Sequence, residues 1–129
     1  VEAAWRELLA NHPALAVSVV SGNHDRALDP AALRVSRLPE DVLDGPFRFR
    51  HHPRQPADAS VQHVLCGHLH PVVRLPGLVG RFPAFALRPG EVVLPAFSRF
   101  TGGMLVGDLE QRWIACAGGV LVERGGEVT

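Results

Sequence analysis

Beyond residue 70 the chain is written as short apolar runs, at 72–75, 82–87, 92–97, 104–109, 113–117 and 120–122, separated by proline, glycine and charged residues. Runs this short, bounded by turn formers, read as strands joined in hairpins and meanders, because a helix needs a longer stretch of 3.6-residue periodicity to bury a face. This half is predicted to be β-rich. The first 70 residues differ. Ala4, Trp5, Leu8 and Leu9 recur at helical spacing before Asn11, His12 and Pro13, which predicts a short surface helix over 1–10. Residues 16–20 form a compact strand-like run that closes at Ser21 and Gly22, and 61–66 form another that delivers the chain to Gly67. Residues 47–51 alternate Phe, Arg, Phe, Arg, His, a period of two that places Phe47, Phe49 and His51 on one face. Residues 29–43 are predicted irregular and partly helical, with Asp29 as a cap and Pro30 in a first turn. Together these elements put the chain in the α/β class.

At 129 residues the chain is expected to be one domain, or part of one, over 1–129. Its 47% apolar content and zero formal net charge describe a globular chain, since disordered ones pair low hydrophobicity with high net charge. The same neutrality argues against a dedicated DNA-binding module, because no general basic field would draw the protein onto nucleic acid and any phosphate contact must be local. Cys66 and Cys116 lie in apolar surroundings and are expected to be core thiols of a cytoplasmic protein. No apolar run approaches the ~20 residues of a membrane helix, and the start lacks the layout of a signal peptide. The chain opens at Val1 directly in a helix-like pattern, and a missing upstream segment is expected.

Two clusters carry chemistry. Gly22-Asn23-His24-Asp25 directly follows a predicted strand. Asn23 offers a hard, neutral amide oxygen and His24 an imidazole, Asp25 is spaced to hold a nearby imidazole by hydrogen bonding, and Gly22 permits a tight strand exit. The bland alternative is a polar turn in which Asn and Asp only cap the next segment. Gly67-His68-Leu69-His70-Pro71 also ends a predicted strand, and if extended would aim both imidazoles the same way. Between them His51-His52-Pro53 ends a third. Three strand ends carrying histidine are poorly explained as core filling, so a shared metal site is the economical reading. His12 and His63 lack such a context and are expected at the surface.

In order and spacing these motifs resemble the latter half of the calcineurin-like metallophosphoesterases. The resemblance is greatest to the bacterial ligase-associated phosphoesterases, which are encoded beside DNA ligase and helicase genes and associated with DNA repair. It rests on SGNHDR at 21–26, GPF at 45–47, HHP at 51–53, GHLHP at 67–71, RFPAF at 81–85 and LPAFSRFTGG at 94–103. The resemblance implies the C-terminal part of a four-layered α/β/β/α sandwich with two divalent ions, Mn, Fe or Zn, at the strand ends. By motif, Asn23, His51 and His68 would hold the second ion and His70 the first. His24 would stabilise the phosphoryl transition state or protonate the leaving oxygen, and Asp25 would orient it; Arg26, beside the motif, is either a contact to substrate phosphate or a solvated side chain.

The implied activity is hydrolysis of phosphate mono- or diesters, endonuclease cleavage included, by water activated between two ions about 3.5–4 Å apart. The family's upstream Asp-x-His and Gly-Asp motifs are not in this sequence. Without their carboxylates the donors are all neutral, and a cation held by neutral groups alone is weakly bound, so the 129-residue chain by itself is expected to be inactive or nearly so. Its first strand is expected to expose a pairing edge, met by an N-terminal polypeptide or a second copy. The rival readings are a phosphoesterase fold serving only as a binding or scaffold module, and a single-metal site of Asn23, His51 and His68.

Overall fold

In the computed structural model the described residues are 2–23, 25–53, 63–97, 101–106 and 112–124. They form a mixed α/β chain that is sheet-rich, with two short helices. Helix α1 (Glu2–Asn11) leads to strand β1 (Ser18–Val20), a 3-10 turn (Asp25–Ala27) and helix α2 (Pro30–Leu33). Strands β2 (Ser36–Leu38), β3 (Asp41–Asp44), β4 (Phe47–Arg50) and β5 (His63–Cys66) follow. The second half contains β6 (Pro71–Val73), β7 (Phe82–Arg88), β8 (Glu91–Val93), β9 (Met104–Leu105), β10 (Arg112–Ala117) and β11 (Val120–Arg124). Every apolar run read beyond residue 70 overlaps one of these strands. No helix among the described residues is long and apolar enough to cross a membrane.

Residues 29–43 depart from expectation, because beyond α2 they form two strands, β2 and β3. Both are short and rich in Ser, Arg and Asp, so neither shows the apolar pattern that marks a strand. Pairing makes them: β2 lies parallel to β1, and β3 antiparallel to β4. The Arg48 guanidinium donates to both carboxylate oxygens of Asp41 at 2.6 and 2.8 Å, an opposite-charge contact between neighbouring strands of the kind that supports a sheet.

Asp29 behaves as its position before Pro30 predicts. Its carboxylate accepts from Ala31 N at 3.0 Å and Ala32 N at 3.2 Å, satisfying amides that a helix start leaves orphaned. The carbonyl of Leu33, at the end of this one-turn helix, accepts from Trp5 Nε1 at 2.8 Å and so anchors α1. Asp29→Ala is therefore expected to destabilise the fold by about 1 kcal/mol and to loosen α1 with α2, read as a lower melting temperature and a Trp5 fluorescence change before global unfolding.

Among the described residues nine strands join in the order β11-β10-β7-β8-β5-β4-β3, with β6 on β7 and β9 on β6. The core sits in this β-rich part: Val73, Leu75, Ala84, Trp113 and Ala115 form one cluster and Cys66, Ala86 and Val93 another, with Val106 packed against both. Both cysteines are free. Cys66 is buried, as expected, whereas Cys116 is only partly so. Burial, then the charge of neighbouring Glu91, pushes the Cys66 thiol up to about 12, so it stays protonated and donates weakly to Val92 O.

Strands β4, β5 and β8 run parallel to one another, with Arg50 opposite Cys66 and Cys66 opposite Val93. This register positions the site, because parallel strands end at the same edge of a sheet and β4 and β5 deliver His51 and His68 there together. Strand β1 pairs with β2, and its other edge has no strand partner among the described residues.

Candidate metal centre

His51 follows β4 directly, and its backbone is tied to the end of β5 by Gly67 N donating to His51 O at 3.1 Å. Its Nε2 lies 2.7 Å from Asn23 Oδ1 and 3.1 Å from His68 Nδ1. Residues 23, 51 and 68, far apart in sequence, thus meet at one imidazole nitrogen. His52 joins them. The ring centroids of His51, His52 and His68 are 4.1–4.9 Å apart, and one nitrogen of each lies within 4.8 Å of the others. Glu40 Oε1, 3.3 Å from His52 Nε2, is placed to orient that ring. Sequence reading passed over His52 as a ligand, although its signal was the doubled histidine at a strand end.

Gly22 serves closeness of approach rather than an unusual backbone angle. It is not among the positive-φ residues, but a Cβ there would stand 2.5 Å from His51 Nδ1, so only glycine lets the imidazole pack on the turn. Asp25 Oδ2 accepts from Gly22 N at 2.7 Å and closes the same turn, as the bland reading expects of this carboxylate. Asn23 does more, because its amide oxygen faces His51. His24 and the side chain of Arg26 lie outside the described residues.

The Gly67–Pro71 link is not extended. His68 and His70 both adopt left-handed backbone conformations, φ 67° and 48°, and Leu69 N donates to Gly67 O at 2.8 Å. The argument that alternation aims both rings one way therefore fails, since β5 has already ended at Cys66 and the chain turns sharply. Left-handed non-glycine residues each cost on the order of 1–3 kcal/mol and cluster at functional sites. His70 stands outside the three-histidine group; its Nδ1 lies 3.3 Å from the carbonyl of Gly102. A carbonyl only accepts, so Nδ1 donates, which in the neutral ring leaves the lone pair on Nε2, the arrangement found when a histidine is held ready as a metal ligand.

Burial, followed by repulsion from the neighbouring His52 and His68 rings, holds the His51 imidazole below the ordinary histidine range. It is therefore neutral at pH 7. A nitrogen with one proton or one lone pair cannot satisfy both an amide oxygen and a second imidazole as separate partners, whereas a divalent cation accepts a lone pair from each. The donor set of one amide oxygen and several imidazoles fits Mn, Fe or Zn.

No protein-family model and no curated sequence matches the chain. Among solved structures there is a likeness. The chain is similar to the nuclease MPE of Pseudomonas putida, with a TM-score of 0.75 and 31% identity over 94% of this chain and 60% of that one. It thus spans about 60% of that nuclease's length. The likeness agrees with the α/β phosphoesterase-type fold expected from the sequence.

Proposed function

We propose that the chain carries part of the metal centre of a phosphodiesterase acting on nucleic acid. The observation behind this reading is the convergence of Asn23 Oδ1 and His68 Nδ1 on His51 Nε2, at 2.7 and 3.1 Å, at the shared edge of β4 and β5. The nuclease likeness, where a solved relative covers nearly all of the chain, supports the substrate class. In this reading Asn23, His51 and His68 hold one divalent ion, with His52 beside them, and His70 presents Nε2 to a second. Bound there, Mn, Fe or Zn would neutralise phosphoryl charge and make water a better nucleophile. By motif, His24 would act on the leaving oxygen and Arg26 would meet a phosphate oxygen. Asp25 fixes the turn that carries them through its bond to Gly22 N. The open edge of β1 is the surface on which an N-terminal polypeptide or a second copy would pair.

The test is metal-dependent cleavage of a labelled oligonucleotide by the chain, alone and extended by any sequence encoded in frame before Val1. Mn²⁺-dependent cleavage that chelator abolishes and His68→Ala lowers at least ~100-fold is expected from the extended form. The scaffold alternative is favoured by the lack of a carboxylate among the four clustered donors Asn23, His51, His52 and His68; retention of full cleavage by His68→Ala would remove the metal-centre reading altogether.

A further inference from the structure

Two sequence segments distinctive in the resemblance, 81–85 and 94–103, take no part in the histidine cluster. The fold brings their described residues together beside it. Arg81, just before β7, and Phe97, Thr101, Gly102 and Gly103 line one groove of about 600 Å³ with His70 at its wall. The groove is built rather than incidental. Strand β9 runs parallel to β6, Met104 N donates to the carbonyls of Leu69 and His70, and a Cβ at Gly103 would stand 2.8 Å from His70 O. Gly103 thus lets residues 101–103 approach the His70 turn, and the Gly102 carbonyl faces the ring of His70 itself.

Two side chains on this groove have no evident structural task. Phe97 is fully exposed, at 106% of its reference area. Arg81 is exposed and has no ion pair among the described residues. An exposed guanidinium and a bare aromatic face on one groove match a nucleotide's two recognisable parts, its phosphate and the face of its base. In a protein of zero net charge, phosphate affinity has to come from such local contacts.

We propose that this groove binds an unpaired nucleotide next to the phosphodiester held at the histidine cluster, with Arg81 on a phosphate and Phe97 stacked on the base. The inference rests on the metal-centre reading and extends it to a strand-binding subsite. Unpaired is specified because a base within a duplex is already stacked on both faces and offers none to Phe97.

The experiment is fluorescence anisotropy of a labelled oligothymidylate titrated with the chain, across salt concentrations, for wild type and for Arg81→Ala, Phe97→Ala and Phe97→Trp. Phe97→Ala is expected to weaken binding about tenfold and Phe97→Trp to restore it. Arg81→Ala is expected to flatten the slope of log affinity against log salt by about 0.7, one phosphate contact on a single strand. Both residues are exposed, so melting temperatures should match wild type, and Mn²⁺ affinity should be unchanged. Oligonucleotide binding equal to wild type in both alanine variants, absence of binding in wild type, or tighter binding to a duplex of the same length would each overturn the proposal. Loss of Mn²⁺ binding in wild type would instead strike the metal-centre reading, so the two failures are separable.

Discussion

Replacing His51 with alanine is expected to lower the chain's affinity for Mn²⁺ or Zn²⁺ by at least about 100-fold, while far-UV circular dichroism stays that of the folded protein. His51 is the hub of the cluster. Its Nε2 lies within hydrogen-bond distance of both Asn23 Oδ1 and His68 Nδ1. Even residues that only orient a metal ligand change affinity about 10- to 100-fold when removed, and losing the shared ligand should cost no less. Isothermal titration calorimetry reads the effect. Gly22→Ala supplies an independent check that leaves every donor in place: its Cβ, 2.5 Å from His51 Nδ1, forces the ring to move, and a loss of about tenfold is expected. Unchanged affinity in both variants would mean that the histidines meet for packing alone.

Much of this centre could be read before any coordinates, for a definite physical reason. Strands β1, β4 and β5 announce themselves by apolar runs or strict alternation, each is followed within three residues by Asn or His, and parallel pairing of β4 with β5 brings their ends to one edge. What escaped was set by tertiary contact. Strands β2 and β3 are too short and polar to show a pattern, and exist through β1 and through the Asp41–Arg48 contact with β4. The left-handed turn at His68 and His70 has no local signature, because histidine adopts that conformation only where its surroundings compel it. The role of Gly22 was misassigned because sequence shows that a glycine is present and not whether angle or space requires it.

The largest stability loss is expected at Gly103, whose role was also hidden. A Cβ built there stands 2.3 Å from Val72 Cγ1 and 2.8 Å from His70 O. Neither neighbour can give way easily. Val72 is β-branched, restricted at χ1 and held in β6 between β7 and β9, and the His70 oxygen is backbone, already accepting from Met104 N at 3.2 Å. The strain must therefore move β9 away from β6. That would disturb Val106, which donates to Val72 O at 2.8 Å and packs against both core clusters. Gly103→Ala should cost about 2–3 kcal/mol, the scale of overpacking in a closed site, and lower the melting temperature by about 5–15 °C. Gly102→Ala is the control, because a Cβ there meets nothing within 4 Å and its melting temperature should stay close to wild type. Two adjacent glycines should thus respond in opposite ways. Equal melting of the two variants would show that close approach of β9 to β6 is not what the second glycine serves.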